Sequence, residues 1–179
     1  VLEMPYQWSA GIRLDDCQDV EVYLNVMVEV DVPIYLRHCS NVKVFNNSAC
    51  KARTGIHLWE VEQSEVTFNI VANISHIGVE LVGCRRVLVG QNVISNMSDT
   101  ATGIYVARGE VAGGEPNNIT SNAIGQLVAL KAGSATIQPG GRGIVLASMN
   151  GILIFNNTLF YVKIGLYVWN SRQGTITYN

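Results

Sequence analysis

Charged residues are scarce in this sequence, and long hydrophobic runs are missing. Asp, Glu, Lys and Arg make up 15% of the 179 residues, and the formal net charge is −2. Nucleic-acid-binding surfaces usually carry a basic stripe, so this balance predicts no nucleic-acid partner. No stretch approaches the ~18 consecutive apolar residues of a membrane-spanning helix. We therefore predict no transmembrane segment within these residues.

The start of the chain also lacks an initiator Met and the pattern of a signal peptide. At its other end, Asn179 falls part-way through a repeated unit. We therefore expect residues 1–179 to be a single segment of a longer protein, whose targeting and anchoring segments lie elsewhere.

What the sequence does contain is a repeat. In Gly143 to Phe160, large apolar residues follow the first aliphatic residue at offsets of 2, 5, 8 and 10, and an Asn follows at offset 13. Apolar pairs two residues apart are typical of β-strands, because alternate side chains point to one face. The first aliphatic residues of seven such units are Ile12, Ile34, Ile56, Val79, Ile104, Ile144 and Leu166.

Asn occupies one position in all seven units, although only 16 of the 179 residues are Asn. An inward Asn at a bend can bond the backbone of its own turn and the amide of the next Asn, so we predict a structural ladder. The predicted ladder consists of Asn25, Asn47, Asn69, Asn92, Asn122, Asn157 and Asn179.

A parallel β-helix fits this repeat better than other repeat folds. Leucine-rich repeats share the period and an Asn ladder, but the paired aliphatic residues here are largely Ile and Val. A β-propeller blade needs about 40 or more residues. Seven coils stacked ~4.8 Å apart would make a rod roughly 30 Å long.

The unit Gly-Ile-x-Leu-x-x-Cys-x-x-Val-x-Val-x-x-Asn at Gly11 to Asn25 resembles the repeats of the pectin-lyase-like superfamily. The resemblance covers nearly the whole chain and implies an all-β fold, a right-handed parallel β-helix of about seven coils. The superfamily includes polysaccharide lyases, glycoside hydrolases, epimerases, phage tailspikes, and extracellular regions of fibrocystin-like and cell-surface hyaluronidase-like proteins. Fold alone does not choose among these functions.

Two outward columns alternate with the inward aliphatic pairs. Aromatic rings with polar neighbours suit sugar rings, which offer apolar faces edged by hydroxyls. The alternatives are ordinary cross-strand ladder residues or a surface covered by a neighbouring domain. The predicted carbohydrate-binding residues, called the aromatic stripe below, are Tyr35, His57, Trp59, Glu80, Tyr105, Tyr167 and Trp169.

Catalytic motifs of the superfamily are missing. Asp15-Asp16 superficially resembles the paired aspartates of polygalacturonases, but adjacent strand residues point to different sides and the partner motifs are absent. The pectate-lyase and alginate-epimerase motifs are absent as well. His57 and Glu80 would be neighbours across one coil step, a pairing that serves acid–base chemistry but is more often a surface ion pair. We predict no catalytic residue.

Three of the four cysteines share one inward position: Cys17, Cys39 and Cys84. Stacked inward thiols behave as small hydrophobes. Cys17 and Cys39 would be close enough for a disulfide, but parallel Cβ directions disfavour one. We favour free thiols and leave the bridge open. Because no His shares this column, we predict no metal site, and no cofactor is indicated.

Two insertions break the period, Glu110 to Asn117 and Gln126 to Arg142. The longer insertion lacks the Gly-Lys-Ser/Thr ending of a phosphate loop, which argues against nucleotide binding. Long loops of solenoids cluster on one flank and often shape a groove. We expect these loops beside Tyr105 and Tyr167.

The sequence Asn-x-Ser/Thr occurs at Asn46, Asn73, Asn96, Asn118 and Asn156. Composition alone would give about two such sites. None is a ladder Asn, so the excess indicates N-glycosylation and an extracellular or cell-surface location. The alternative is that Asn-rich turns generate these sites without glycans.

Two hypotheses follow. The first is a non-catalytic extracellular or cell-surface β-helix module with a structural, adhesive or glycan-binding role in a larger glycoprotein. Its partners would be carbohydrate or neighbouring protein domains. The second is a polysaccharide-active enzyme, a lyase, hydrolase or epimerase, which the fold and the aromatic stripe favour.

Overall fold

The computed structural model describes residues 9–108, 116–125, 140–177 and 179. Every regular element among them is a β-strand, as the Val- and Ile-rich pairs predict. Within these residues there is no helix that could cross a membrane.

Each coil contributes up to three strands, and strands at the same place in successive coils pair in parallel. The first strands are β1 (Ala10–Asp15), β4 (Val32–Arg37), β6 (Ser48–Trp59), β8 (Ile70–Val82), β11 (Thr102–Ala107), β14 (Gly140–Ala147) and β17 (Val162–Trp169). The second strands are β2 (Glu21–Tyr23), β5 (Lys43–Phe45), β7 (Glu65–Thr67), β9 (Leu88–Gly90), β12 (Asn117–Thr120), β15 (Asn150–Phe155) and β18 (Arg172–Thr177). The third strands are β3 (Val26–Val28), β10 (Val93–Ser95), β13 (Ala123–Gly125) and β16 (Thr158–Phe160).

Strands β6 and β8 pass from the third position of one coil into the first position of the next without a break. They pair from Ser48 with Ile70 through to Trp59 with Val82, and the register shifts between Ala52 and Thr54. The first and third sheets are thereby joined into one 11-stranded sheet, and the second strands form a separate 7-stranded sheet. This architecture confirms the predicted right-handed parallel β-helix. Seven stacked strands separated by six steps of ~4.8 Å span roughly 30 Å.

The core is built from inward columns in exact register between coils. Ile34, Ile56, Val79 and Ile104 pair in succession and are each 0% exposed. Stacking places each aliphatic side chain on a similar one, an arrangement that favours close packing of the interior. The inward aliphatic positions predicted from the spacing are thus confirmed as core in the middle coils, whereas Val168 and Ile176 on the last coil are 45% and 44% exposed.

The Asn ladder lies at the corner between the second and third strands. The Oδ1 atom of Asn47 accepts from both N and Nδ2 of Asn25, at 3.1 and 2.9 Å. The Nδ2 atom of Asn47 donates to Oδ1 of Asn69 at 3.0 Å and to the Val22 carbonyl at 2.9 Å. The same bonds continue through Asn92, Asn122 and Asn157 to Asn179. The ladder is confirmed as a structural feature.

Corners are made by single residues in the left-handed conformation, and most of these residues are not glycine. At the corner after the first strand these include Asp16, His38 and Glu60, with φ of 53°, 51° and 52°. Asp and His are among the residue types most often found there. Because the conformation recurs in each coil, corner side chains also form outward columns.

The two insertions are shorter than predicted at the ends that the structure describes. Asn117 belongs to β12, a strand of the second sheet, and pairs there with Ile152. Gly140 and Arg142 belong to β14 and pair with Val162 and Ile164. The remaining residues of both insertions, 110–115 and 126–139, lie outside the described residues.

Candidate functional site

The predicted aromatic stripe forms two in-register columns on the outer face of the first sheet. Each step joins strands of adjacent coils, so the side chains lie one above the other. The first column runs Arg13, Tyr35, His57, Glu80, Tyr105, Val145 and Tyr167. The second column runs Asp15, Arg37, Trp59, Val82, Ala107, Ala147 and Trp169.

Solvent exposure along the stripe is uneven, and the prediction that both columns face solvent is wrong at its centre. His57 is 4% exposed and Val145 is 4% exposed. Tyr35, Glu80 and Tyr105 are half-buried. Only at the last coil are the rings open, because Tyr167 and Trp169 are 45% and 59% exposed.

Ring contacts explain part of the burial of His57. Its ring meets the Tyr35 ring edge-on, with centroids 5.1 Å apart and an interplanar angle of 78°. Trp59 lies beside it, at 6.3 Å between centroids. On the first coil, the Arg13 guanidinium stacks over the Tyr35 ring at 5.5 Å, an arrangement that favours a cation–π contact. The middle of the stripe is therefore a packed cluster of rings.

His57 and Glu80 meet inside this cluster. Nδ1 of His57 lies 3.5 Å from Oε2 of Glu80. Burial, with a smaller contribution from the charge of Arg53, lowers the pKa of His57 to about 4. Burial also raises the pKa of Glu80, and Arg53 opposes that rise. At neutral pH the imidazole is therefore uncharged. The pair is thus not a surface ion pair, which was the commoner interpretation of such a pairing in the sequence.

Two titratable neighbours of this cluster were not among the predicted residues. Arg53 and His76 lie where β6 and β8 bend from the third sheet into the first. The pKa of His76 is lowered by burial and then by the positive charge of Arg53. The two residues lie one repeat apart, which was the signal available. Both residues lie at the bend, outside the strand columns whose spacing carried the prediction.

A second polar cluster, also missed, lies at the corner after the first strand. Nδ1 of His38 lies 3.3 Å from Oδ1 of Asp16, and Nε2 lies 3.1 Å from Oε2 of Glu60. These residues are 22 apart in sequence, so the repeat could have revealed them. The cluster borders an open groove of about 680 Å³ lined by His38, Cys39, Ser40, Glu60, Glu62, Gly83, Arg85 and Arg108.

All four cysteines are free, as favoured from the sequence. Cys17 is half-buried, whereas Cys39 and Cys84 are buried. Burial raises the pKa of Cys39, and it raises the pKa of Cys84 to about 12. Isolated buried thiols of this kind are inert.

The five predicted N-glycosylation positions differ in accessibility. Asn46, Asn73 and Asn156 are exposed corner residues with positive φ, and Asn96 is a half-buried one. Asn118 is half-buried within strand β12, and its Oδ1 atom is buried. Three of the five therefore lie at bends between strands, and Asn73 lies at a left-handed residue within β8. Modification at any of the five stays a prediction.

A family model described as periplasmic copper-binding protein (NosD) matches residues 3–179. The chain belongs to the NosD family. No curated protein matches it. The NosD assignment agrees with the pectin-lyase-like fold, whereas the closer likeness to fibrocystin-like regions stays a prediction. A periplasmic family also agrees, at this level, with the predicted location outside the cytoplasm.

The copper named in the NosD description requires soft donors such as imidazole and thiolate. The three His and four Cys of the sequence all fall within the described residues. No three His, Cys, Asp or Glu side chains of that part of the chain are placed to hold a metal ion. At the first corner, Asp16 and Glu60 contact opposite nitrogens of His38 and so do not converge on one point. A site with three or four of these ligands does not fit the described residues.

Proposed function

We propose that this chain is a non-catalytic β-helix module of the cell envelope that binds an extended carbohydrate through the outer face of its first sheet. The observation that carries the proposal is the in-register column of aromatic and polar side chains on that face. A rigid solenoid suits such a role, because backbone pairing between coils fixes the spacing of the rings before a ligand arrives.

The last coil offers the most accessible part of this face. Tyr167 and Trp169 on β17 are both exposed, as is Val168 between them. The Arg142 guanidinium lies 5.8 Å from the centre of the Tyr167 ring. A sugar ring can stack on the indole while its hydroxyls bond to the guanidinium. We expect Tyr35 and Tyr105 to add contacts along the column.

One observation favours the second candidate, a polysaccharide-active enzyme. The His57–Glu80 pair combines a neutral imidazole with a carboxyl of raised pKa. Perturbed pKa values of this kind cluster at active sites, but they also accompany simple burial. His57 is 4% exposed, so a substrate has little access to the imidazole. For that reason the non-catalytic role is preferred.

Titration calorimetry against oligosaccharides of polyuronate and glycosaminoglycan type would test the binding role. We expect Trp169→Ala to weaken binding by about 1–1.5 kcal/mol, the usual contribution of an aromatic contact, which is roughly tenfold in Kd. Phe68→Ala is the matched control, since Phe68 is an equally exposed ring at another corner. Equal affinity of the wild type and Trp169→Ala for every ligand bound would overturn the proposal.

An activity assay on the same substrates separates the two candidates. Cleavage that is lost in both His57→Gln and Glu80→Gln would establish the enzyme. Binding without cleavage supports the module.

A further inference from the structure

We propose that the groove at the first corner binds an α-amino acid, with the ligand's carboxylate at Arg108 and its ammonium group at Glu60. The inference goes beyond carbohydrate binding, because no residue that lines the groove belongs to the aromatic stripe. It rests on the order of charges along the groove and on the gap that one glycine leaves in its wall.

One wall of the groove is the column of corner residues that follow the first strands. The amide of Glu60 donates at 2.8 Å to the Val82 carbonyl, just before the corner at Gly83. Gly83 is joined in the same way, at 2.9 Å, to the coil of Arg108. The corner column therefore runs Asp16, His38, Glu60, Gly83, Arg108, Ser148 and Asn170.

Gly83 leaves a gap in this wall. Its φ of 67° is the left-handed conformation that Glu60 and Arg108 also adopt, with φ of 52° and 55°. A corner therefore does not need glycine. A Cβ atom at this position would lie 3.1 Å from Cγ of Glu60, so a side chain here would enter the space beside that carboxylate. The corners of Glu60 and Arg108 are two coil steps apart, ~9.6 Å, with this gap between them.

Acidic and basic side chains lie at opposite ends of the groove. Glu60 and Glu62 come from one coil, whereas Arg85 and Arg108 come from the two coils beyond it. Arg85 pairs with Glu62. Glu60 uses Oε2 to meet Nε2 of His38 at 3.1 Å, which leaves its Oε1 atom to accept from a ligand.

Arg108 is the cation that the groove leaves open. Its neighbours in the corner column, Gly83 and Ser148, carry no charge. Among the residues that the structure describes, no carboxylate lies at ion-pair distance from its guanidinium. A guanidinium can hold a carboxylate through two parallel hydrogen bonds. The groove thus offers a carboxylate oxygen at one end and a guanidinium at the other.

This balance of charge favours a dipolar ligand. A purely anionic or purely cationic ligand that filled the groove would meet a like charge at one end. In an α-amino acid, the ammonium nitrogen and a carboxylate oxygen lie roughly 3 Å apart. A charge-assisted hydrogen bond of ~2.8 Å at each end extends this to ~8.6 Å. That span is close to the ~9.6 Å between the corners of Glu60 and Arg108.

Titration of the ¹⁵N-labelled protein with the common α-amino acids, followed by NMR, would test the site. We expect at least one of them to shift the backbone amides of Gly83, Arg85 and Arg108, with a Kd of about 1 mM or lower. Its N-acetyl derivative lacks the ammonium group and its carboxamide lacks the carboxylate, so each should bind about tenfold more weakly.

Three outcomes of this titration would overturn the proposal. The first is no shift at these amides with any amino acid at about 10 mM, ten times the expected Kd. The second is equal affinity for the free and N-acetyl forms. The third is an equal response of the same amides to glucose, which would make the groove a site for neutral sugars.

Charge variants assign each end of the ligand to its residue. Arg108→Gln should weaken binding of the free amino acid about tenfold and leave binding of the carboxamide unchanged, because the carboxamide has no charge for the guanidinium to meet. Glu60→Gln should act in the same way on the free and N-acetyl forms. Arg86→Gln is the matched control, since Arg86 follows Arg85 in the chain but does not line the groove. An equal loss in the control, or equal losses for both ligands, would contradict the assignment.

A side chain placed in the gap should block the site. Gly83→Asn should abolish binding with little change in the melting temperature, because Asn adopts the left-handed conformation readily. Ser148→Asn is the control, at a corner of the same column with φ of 54° that lies outside the groove. Retained binding in Gly83→Asn, or the same loss in both variants, would contradict a ligand seated at Gly83.

Discussion

Two ladders of polar side chains with the same repeat lie on opposite sides of the β-helix wall. Inside, Asn47 and Asn69 are 2% and 1% exposed, and each amide bonds to the backbone as well as to its neighbour. Outside, Asp16, His38 and Glu60 form a chain of polar contacts at the first corner, with largely exposed carboxylates. The stacking geometry is identical, but the surroundings differ.

Burial, rather than the number of contacts, decides how much a ladder contributes to stability. A buried amide that loses its partner incurs the full desolvation penalty, because no water replaces the bond. An exposed charge that loses its partner is solvated again, so surface pairs are worth little. The same repeat thus stabilises the fold on one side and shapes the surface on the other.

The largest effect is expected from breaking the inner ladder at Asn69. Asn69→Ala removes the acceptor of Asn47 N and Nδ2, and the donor to the carbonyls of Val44 and Thr67. We expect a loss of about 4 kcal/mol in the free energy of unfolding, measured by urea denaturation. The control is Asn41→Ala, whose exposed side chain bonds only to Asp19; a similar loss in both would refute the role of burial.

His57 extends the comparison, because it belongs to an outward column yet is buried. The pKa of His57 in the folded protein, about 4, lies below its ordinary value of 6.5, so folding favours the neutral form. The resulting stability is present above pH 6.5 and falls as the pH drops toward 4, by at most about 3 kcal/mol. Glu80, with its raised pKa, acts in the opposite sense and reduces the net change.

Unfolding curves between pH 7 and pH 4 would measure this loss. His57→Gln should flatten the pH dependence of stability, whereas Glu80→Gln should steepen it. A wild type and His57→Gln with parallel pH profiles would show that the imidazole is not desolvated as described.

Substitution of Gly78 would test how tightly strand β8 is packed at its bend. A Cβ atom there would lie 2.5 Å from the Gly103 carbonyl oxygen and 2.6 Å from Cγ2 of Ile94. We expect Gly78→Ala to lower the free energy of unfolding by about 2 kcal/mol, the usual cost of overpacking. Gly165→Ala is the control in the same column, since its Cβ would meet only Cδ1 of Leu159 at 3.4 Å. Equal tolerance of the two changes would argue against this packing.

The smallest effect is expected at the outer corner. Nζ of Lys51 lies 2.8 Å from Oε1 of Glu29, and both side chains are largely exposed. Lys51→Ala should leave the thermal unfolding midpoint unchanged within error, in low salt as well as high salt. A clear drop at low salt would mean that the exposed ladder does contribute to stability.

The buried positions could be predicted from the sequence because every coil needs the same kinds of inward side chain at the same positions. Ile34, Ile56 and Asn47 must all fit one cross-section, so their spacing appears directly in the sequence. Exposure on the outside could not be predicted in this way. His57 and Tyr167 share one column, but only the packing around each ring decides that one is buried and the other open.

The corner clusters were missed for a related reason. The pairing of His38 with Asp16 and Glu60 depends on the left-handed corner conformation, which apolar spacing does not report. The register of the repeat was sufficient to align these residues once the corner was known. The contacts between corner side chains can therefore be predicted from the repeat only when the backbone path at the corner is known.

The register between coils also determines which insertions and deletions in the sequence the fold can accept. Neighbouring coils that match residue for residue, at intervals of 22 or 23 along most of the chain, behave as interchangeable blocks. Duplication or removal of one whole block leaves every column continuous, whereas a change of one residue inside a strand turns its side chains to the wrong face. Extra residues fit between strands and not inside them, and the sequence between β11 and β12 is longer than between the corresponding strands of other coils. Such a protein can lengthen by copying coils and diversify at its corners, while its cross-section stays the same.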